Sequence, residues 1–175
     1  MQQLRLSGTG GQGLILAGII LAEAALLDGK NAIQSQSYGP EARGGSSKSE
    51  VLISDKVIRY PKITVPNVVL AMSQEACKKY TSDLTENSIM IIDSLFVQNL
   101  PDKKYKRAFE LPITQTAQTE LGKALFANIV ALGAIVQITG VVSIDSLIKA
   151  VLARVPKGTE EINQKAIQLG IDLVK

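Results

Sequence analysis

Gly8, Gly10 and Gly13 stand at the spacing G-x-G-x-x-G, with Gly11 and Gln12 inside the motif and an apolar stretch on either side. Glycines so placed let a backbone turn tightly and approach a bound group where a side chain would block it. The free N–H groups of the helix that follows then favour an anion: a phosphate, a carboxylate or a partner's backbone oxygen. A second group lies in Ser37-Tyr38-Gly39-Pro40-Glu41-Ala42-Arg43-Gly44-Gly45. Tyr38 offers a stacking face and a hydroxyl, and Arg43 a rigid fork for carboxylate or phosphate. Glu41 either pairs with Arg43 and stiffens the loop or leaves Arg43 to a ligand. The glycine turn has an equally simple structural reading, as a tight turn that packs a helix on a sheet.

Other chemistries are narrowed by what is missing. A dinucleotide site expects an acid about 20 residues on, at the end of the second strand, where this chain has Gln34-Ser35-Gln36. The Gly-Lys-Ser/Thr ending of a phosphate-gripping ATPase loop is also lacking. With no His and one Cys, the chain cannot build a Ser-His-Asp triad, a Cys-His pair or a His-ligated metal. An iron–sulfur cluster needs about four cysteines. Cys77, with no His to activate it, reads as an incidental thiol. Asp93 closes an apolar strand and either faces the glycine turn or caps the next turn. Asn128 is a polar group in an apolar helix and expects a hydrogen-bond partner.

These groups need a frame to hold them. The chain has 175 residues, 46% hydrophobic and 20% charged, with a net charge of +3, as expected of a single globular domain over residues 1–175. The basic run 103–107 is short and the other cations are scattered, so no nucleic-acid partner is expected. Lone Cys77 forms no internal disulfide, and the N-terminus reads without a signal peptide, which together fit a cytoplasmic setting. The apolar run 124–142 contains Asn128, Gln137 and Thr139 and reads as a buried helix rather than a membrane span, which takes roughly 20 apolar residues.

Hydrophobic patterning predicts strands at 3–7, 31–36, 46–54, 67–72, 89–92 and 105–111. Helices are expected at 12–27, 74–80, 125–138, 143–154 and 160–173, with a short amphipathic piece before 121. Gly29 reads as a helix C-cap and Ser73 as an N-cap. The first strand, helix and second strand make a βαβ unit, which brings residues 10–13 beside 38–45 at one end of the sheet. Residues 46–54 and 57–60 read as an antiparallel hairpin. The expected fold is α/β: a Rossmann-like domain, its sheet mostly parallel with an antiparallel hairpin added and its last third helical.

Several stretches together carry a resemblance across the whole chain. They are Gly8-Thr-Gly-Gly-Gln-Gly13 followed by Ala17-Gly18, Gln36 through Gly45, Ser49-Glu-Val-Leu-Ile-Ser54, and Asn128 through Gly133. In these the chain resembles the gamma subunit of 2-oxoacid:ferredoxin oxidoreductases. Asp28-Gly-Lys-Asn31 and the 37–45 wording are most similar to the 2-oxoglutarate branch, with the pyruvate and branched-chain branches as near relatives. The resemblance implies a complex that decarboxylates a 2-oxoacid and passes electrons to ferredoxin and the acyl group to coenzyme A. It also implies that thiamine diphosphate, Mg and the iron–sulfur clusters reside in partner subunits (alpha, beta and, where there is one, delta) and that this chain carries no cofactor and no catalytic residue. The gamma subunit would dock beside the active site and contact coenzyme A through Gly8, Gly10, Gly11, Gln12, Gly13, Tyr38, Gly39, Glu41, Arg43, Gly44 and Gly45. Isolated, it would be inactive and could pair with itself. The contrasting reading is a stand-alone nucleotide-binding protein.

Overall fold

The computed structural model describes residues 1–39 and 45–175, so the expectations placed on Glu41, Arg43 and Gly44 lie outside the described residues. The strands are β1 (Gln2–Thr9), β2 (Asn31–Tyr38), β3 (Ser46–Ser54), β4 (Val68–Ala71), β5 (Ile89–Asp93) and β6 (Arg107–Leu111). The helices are α1 (Leu14–Leu27), α2 (Gln74–Lys79), α3 (Ile113–Leu121), α4 (Ala127–Thr139), α5 (Ile144–Leu152) and α6 (Glu160–Asp172), with a 3₁₀ turn at Ala124–Phe126 leading into α4.

The six strands form one sheet in the order β2-β3-β1-β4-β5-β6. The β1–β4, β4–β5 and β5–β6 pairs are parallel, whereas β3 runs antiparallel to both β1 and β2. This is the expected α/β class, with two differences in wiring. First, β2 does not pair with β1, because β3 inserts between them. Second, β3 makes its hairpin backward with β2 rather than forward with residues 57–60, which form no strand. β3 carries backbone hydrogen-bonding groups along both of its edges, and β1 and β2 supply partners for them. Val57 and Tyr60 stay 78% and 58% exposed and have no apolar face to cover. β2 also runs on through Ser37 and Tyr38, which the sequence reading placed in the loop, because they pair with Lys48 and Ser47.

The centre of the parallel half is apolar, whereas its edge strand β6 exposes Arg107 and Glu110. Every residue of β4 is at most 3% exposed, as expected of a parallel strand covered on both faces. One face of the sheet is covered by α1, α3, α4, α5 and α6, and the other by α2 with Leu84 and Val97. α4 and α6 cross at glycines: a Cβ on Gly133 would lie 3.0 Å from the Ile167 carbonyl carbon, and one on Gly170 2.8 Å from the Ala134 nitrogen. Ser73 caps α2 by accepting from the Ala76 N–H at 3.2 Å. At the end of α1, Gly29 follows at φ 74° and Lys30 N–H reaches back to the Ala25 carbonyl at 2.9 Å. Asp28 then accepts from the N–H and hydroxyl of Ser143 and from the Ser146 hydroxyl, tying the end of α1 to the start of α5. Burial opposes its charge, but those three hydrogen bonds outweigh it and hold the carboxyl below its ordinary range.

Candidate functional site

The strand directions bring the ends of β1, β2, β4, β5 and β6 and the start of β3 to one edge of the sheet. In open α/β sheets that edge is where ligands bind, and here it carries the glycine turn. At Gly8 the constraint is space: a Cβ would land on the Gln12 side-chain oxygen, 2.6 Å from Leu14 Cδ1 and 3.1 Å from Met72 Cβ. At Gly13 the constraint is also conformational, since φ is 73° and a Cβ would approach Asn128 Nδ2 to 2.6 Å. Left-handed backbone costs a side-chain-bearing residue about 1–2 kcal/mol.

Gln12 closes the turn from within. Its Oε1 accepts from the Thr9 N–H at 2.7 Å and its Nε2 donates to the Met72 carbonyl at 3.0 Å. Asn128 holds the turn from outside, donating to the Gly13 carbonyl at 3.2 Å while its Oδ1 takes the Ile129 N–H at 2.9 Å. Its expected partner is therefore the turn itself. No side chain caps α1, so its first-turn N–H groups open toward the edge. Gly10 N–H donates to the Gly45 carbonyl at 2.9 Å, and Gly39 N–H to the Ser46 carbonyl at 3.0 Å. The expected approach of residues 10–13 to the 38–45 stretch is thus seen between Gly10 and Gly45, which a direct hydrogen bond joins. Tyr38 ends its strand beside them, 67% exposed. Ser46 is 1% exposed, and its hydroxyl has no hydrogen-bond partner among the described residues.

Beside the turn lies a cleft of about 350 Å³ lined by Gly11, Gln12, Phe96, Thr114, Gln118 and Leu125 among others. Phe96 is 45% and Leu125 72% exposed, so two large apolar side chains stand open beside the turn. The sequence reading missed this wall. Its only signal was that Phe96 follows Asp93 closely at the end of an apolar strand and so had to emerge at this same edge. The described lining is apolar or neutral and polar, a chemistry of recognition rather than of proton transfer.

Asp93 does not enter the cleft. It is fully buried, accepting from the Leu95 and Thr114 N–H groups at 3.2 Å, and so caps both the turn after β5 and the start of α3. Burial pushes its carboxyl above the ordinary range despite those hydrogen bonds. Cys77 is buried, and burial pushes its thiol up, away from the reactive thiolate. Among the described residues no three His, Cys, Asp or Glu side chains converge on a metal position, and no helix is long and apolar enough to cross a membrane.

The far side of the sheet holds a charged cluster that periodicity did not reveal. Arg5, 6% exposed, donates to Glu50 at 2.8 Å, to both oxygens of Asp83 at 2.6 and 2.9 Å, and to the Tyr80 carbonyl at 2.9 Å. Lys48 meets Glu50 at 2.9 Å. Burial alone would raise Asp83, but the hydrogen bonds and charge of Arg5 win and hold it low. The cluster is internally satisfied and reads as structural. A cavity of about 710 Å³ lies between α1 and α5 and is lined by Leu26, Leu27 and the Glu23–Arg154 ion pair, remote from the glycine turn.

Known proteins resemble the chain over nearly its full length. The family described as pyruvate ferredoxin/flavodoxin oxidoreductase matches residues 3–173. The 2-oxoglutarate synthase subunit KorC of Methanocaldococcus jannaschii is 46% identical, covering 99% of this chain and 94% of its own. The pyruvate synthase subunit PorC of Methanothermobacter marburgensis is 30% identical over 100% of this chain and 98% of its own. A crystal structure of the keto/oxoacid ferredoxin oxidoreductase gamma subunit from Geobacter sulfurreducens superposes with a TM-score of 0.87 at 52% identity, covering 99% and 98% of the two chains.

Proposed function

This chain belongs to the pyruvate ferredoxin/flavodoxin oxidoreductase family, and from that membership we propose that it is the gamma subunit of a 2-oxoglutarate:ferredoxin oxidoreductase. The complex would convert 2-oxoglutarate and coenzyme A to succinyl-CoA and carbon dioxide, with ferredoxin taking the electrons. The observation that carries this reading is the full-length similarity to a 2-oxoglutarate synthase subunit, well above that to a pyruvate synthase subunit. The pyruvate and branched-chain branches are the alternatives.

The chain's own chemistry supports an accessory role. One buried Cys and no His do not fit an iron–sulfur cluster, in keeping with the family resemblance, which implies that the clusters, thiamine diphosphate and Mg reside in alpha, beta and delta-type partner subunits. Residues 1–175 then act as one domain in a cytoplasmic complex, docked by the edge that exposes Leu95, Phe96 and Leu125. The first-turn amides of α1, framed by Gly8, Gly10, Gly11, Gln12 and Gly13, suit the phosphates of coenzyme A. Of the second group, Tyr38, Gly39 and Gly45 lie beside this turn, and coenzyme A contacts are assigned to Glu41, Arg43 and Gly44 as well, with Arg43 supplying positive charge.

The geometry speaks against a self-sufficient dinucleotide-binding protein. A ribose-binding acid belongs at the end of a strand adjacent to β1. Here β3 lies between β1 and β2, and β2 ends without an acid.

Copurification of the tagged chain from its host, with a viologen-reduction assay on 2-oxoglutarate, pyruvate and 2-oxoisovalerate, tests the subunit reading and names the substrate. A chain recovered alone with a bound nucleotide would overturn it. In the assembled complex, Arg43→Ala should weaken coenzyme A binding about tenfold by calorimetry, the loss of one charged hydrogen bond. Unchanged affinity would remove coenzyme A from this edge and leave the subunit reading intact.

A further inference from the structure

β2 lies at the end of the sheet, and only one side of it is paired. Its eight residues pair one-to-one with β3 without a bulge. The sequence Asn-Ala-Ile-Gln-Ser-Gln-Ser-Tyr contains no charge and no proline. Edge strands of monomers are usually blunted by lysines, prolines or bulges, which keep other strands from adding to them. None of these devices is present on β2.

The hydrogen-bond phase shows which groups are open. Gly39 N–H bonds to the Ser46 carbonyl in the same register that pairs Tyr38 with Ser47. Antiparallel pairs alternate between bonded and non-bonded, so Asn31, Ile33, Ser35 and Ser37 spend their backbone groups on β3. The N–H and C=O of Ala32, Gln34, Gln36 and Tyr38 point outward.

Above this edge runs α1, which lies over β2 and β3. Leu14, Ala17, Gly18, Leu21 and Ala25 are buried, whereas Ile15, Ile19 and Ala22 form a less buried apolar stripe at i, i+4 and i+7. Ile20 and Ala24 fill the opposite flank, so the stripe faces outward over β2.

We propose that the open edge of β2 is an interface between two copies of this chain, pairing β2 with β2 antiparallel about a two-fold axis at Ser35. The phase is self-complementary. Ala32 then meets Tyr38 of the second copy, Gln34 meets Gln36, and every outward N–H finds a carbonyl. No charge on β2 opposes its copy. The spacing fits as well: strands lie about 4.8 Å apart, so helices lying between β2 and β3 in each copy come roughly 10 Å apart, the distance at which helices pack. The two apolar stripes of α1 then cover one another. Nothing in this interface depends on the coenzyme A reading.

The test uses the purified full-length chain. Light scattering should give the mass of two copies. Gln36→Pro removes an outward N–H that β3 does not use, and should give the single-copy mass with an unchanged melting temperature. Under oxidising conditions Ser35→Cys should cross-link about tenfold faster than Ser37→Cys, because Ser35 faces its own copy at roughly 4.5 Å, within disulfide reach. A native chain that is monomeric alone overturns the proposal, including the case in which β2 is protected only by a different subunit. Equal cross-linking of the two cysteine variants overturns it too. Should Gln36→Pro misfold, Ile19→Glu replaces it, and a dimer that survives that change also overturns the interface.

Discussion

The two halves of the sheet are built on different physics. The parallel half, β4 to β6, hides the apolar strands β4 and β5 under helices, and its one buried acid, Asp93, is spent on capping backbone N–H groups. The antiparallel half, β1 to β3, buries Arg5 and satisfies it with Glu50 and Asp83, while β2 stays half open. The first arrangement suits a scaffold. The second keeps charges, free backbone groups and an exposed edge near the glycine turn, as expected of a part that meets other molecules.

The sharpest contrast should appear on truncating one buried residue in each half. Ile91→Ala in β5, from a fully buried site, should lower stability by about 4 kcal/mol through lost transfer energy and an unfilled cavity. Arg5→Ala should cost about 3 kcal/mol, because it leaves Asp83 without its cation and Glu50 with Lys48 alone; part-exposed Asp83 can rehydrate, which keeps the loss below that of a fully buried pair. Urea denaturation measures both. The comparison breaks if Arg5→Ala is neutral.

Two acids should give opposite pH signatures. Asp83 is held below the ordinary carboxylate value of 3.8, so its contribution is present above that value and is lost as pH falls through its lower folded value. Asp93 is raised above 3.8, so the folded chain holds its proton longer. Its effect is reversed: stability declines as pH rises from 3.8 through the raised value, and the penalty persists at neutral pH. Carbon-detected titration of the two carboxyls reads the order directly, and Asp83 titrating above Asp93 would refute it. The smallest effect belongs to the turn. Gln12→Ala removes two hydrogen bonds at its centre and should cost about 1–2 kcal/mol, a melting shift of roughly 2–8 °C for a chain of this size.

Much of this molecule was legible before any coordinates. Val68–Ala71 and Ile89–Asp93 announced themselves as buried strands because a parallel strand covered on both faces needs an unbroken apolar run. Ser73 and Ser143 marked helix starts, since their hydroxyls accept first-turn N–H groups. The glycines at 8, 10 and 13 marked a turn between strand and helix. All of these are local demands, met within a few residues.

The residues whose meaning changed are those with partners far along the chain. Arg5 finds Asp83 across 78 residues and Asn128 finds Gly13 across 115, and no periodicity carries such pairings. The alternation of β3 marked it as a strand but did not say which strands would flank it. Its insertion between β1 and β2 depends on which edges can satisfy both lines of its backbone hydrogen bonds. Phe96 and Leu125 form a cleft wall only because the end of β5 and the start of α4 converge on the glycine turn. Local chemistry, written in neighbouring residues, determined the elements and the turn. The assembly of those elements by burial and hydrogen-bond completion over the whole chain decided the order of the sheet, the cleft beside the turn and the open edge of β2.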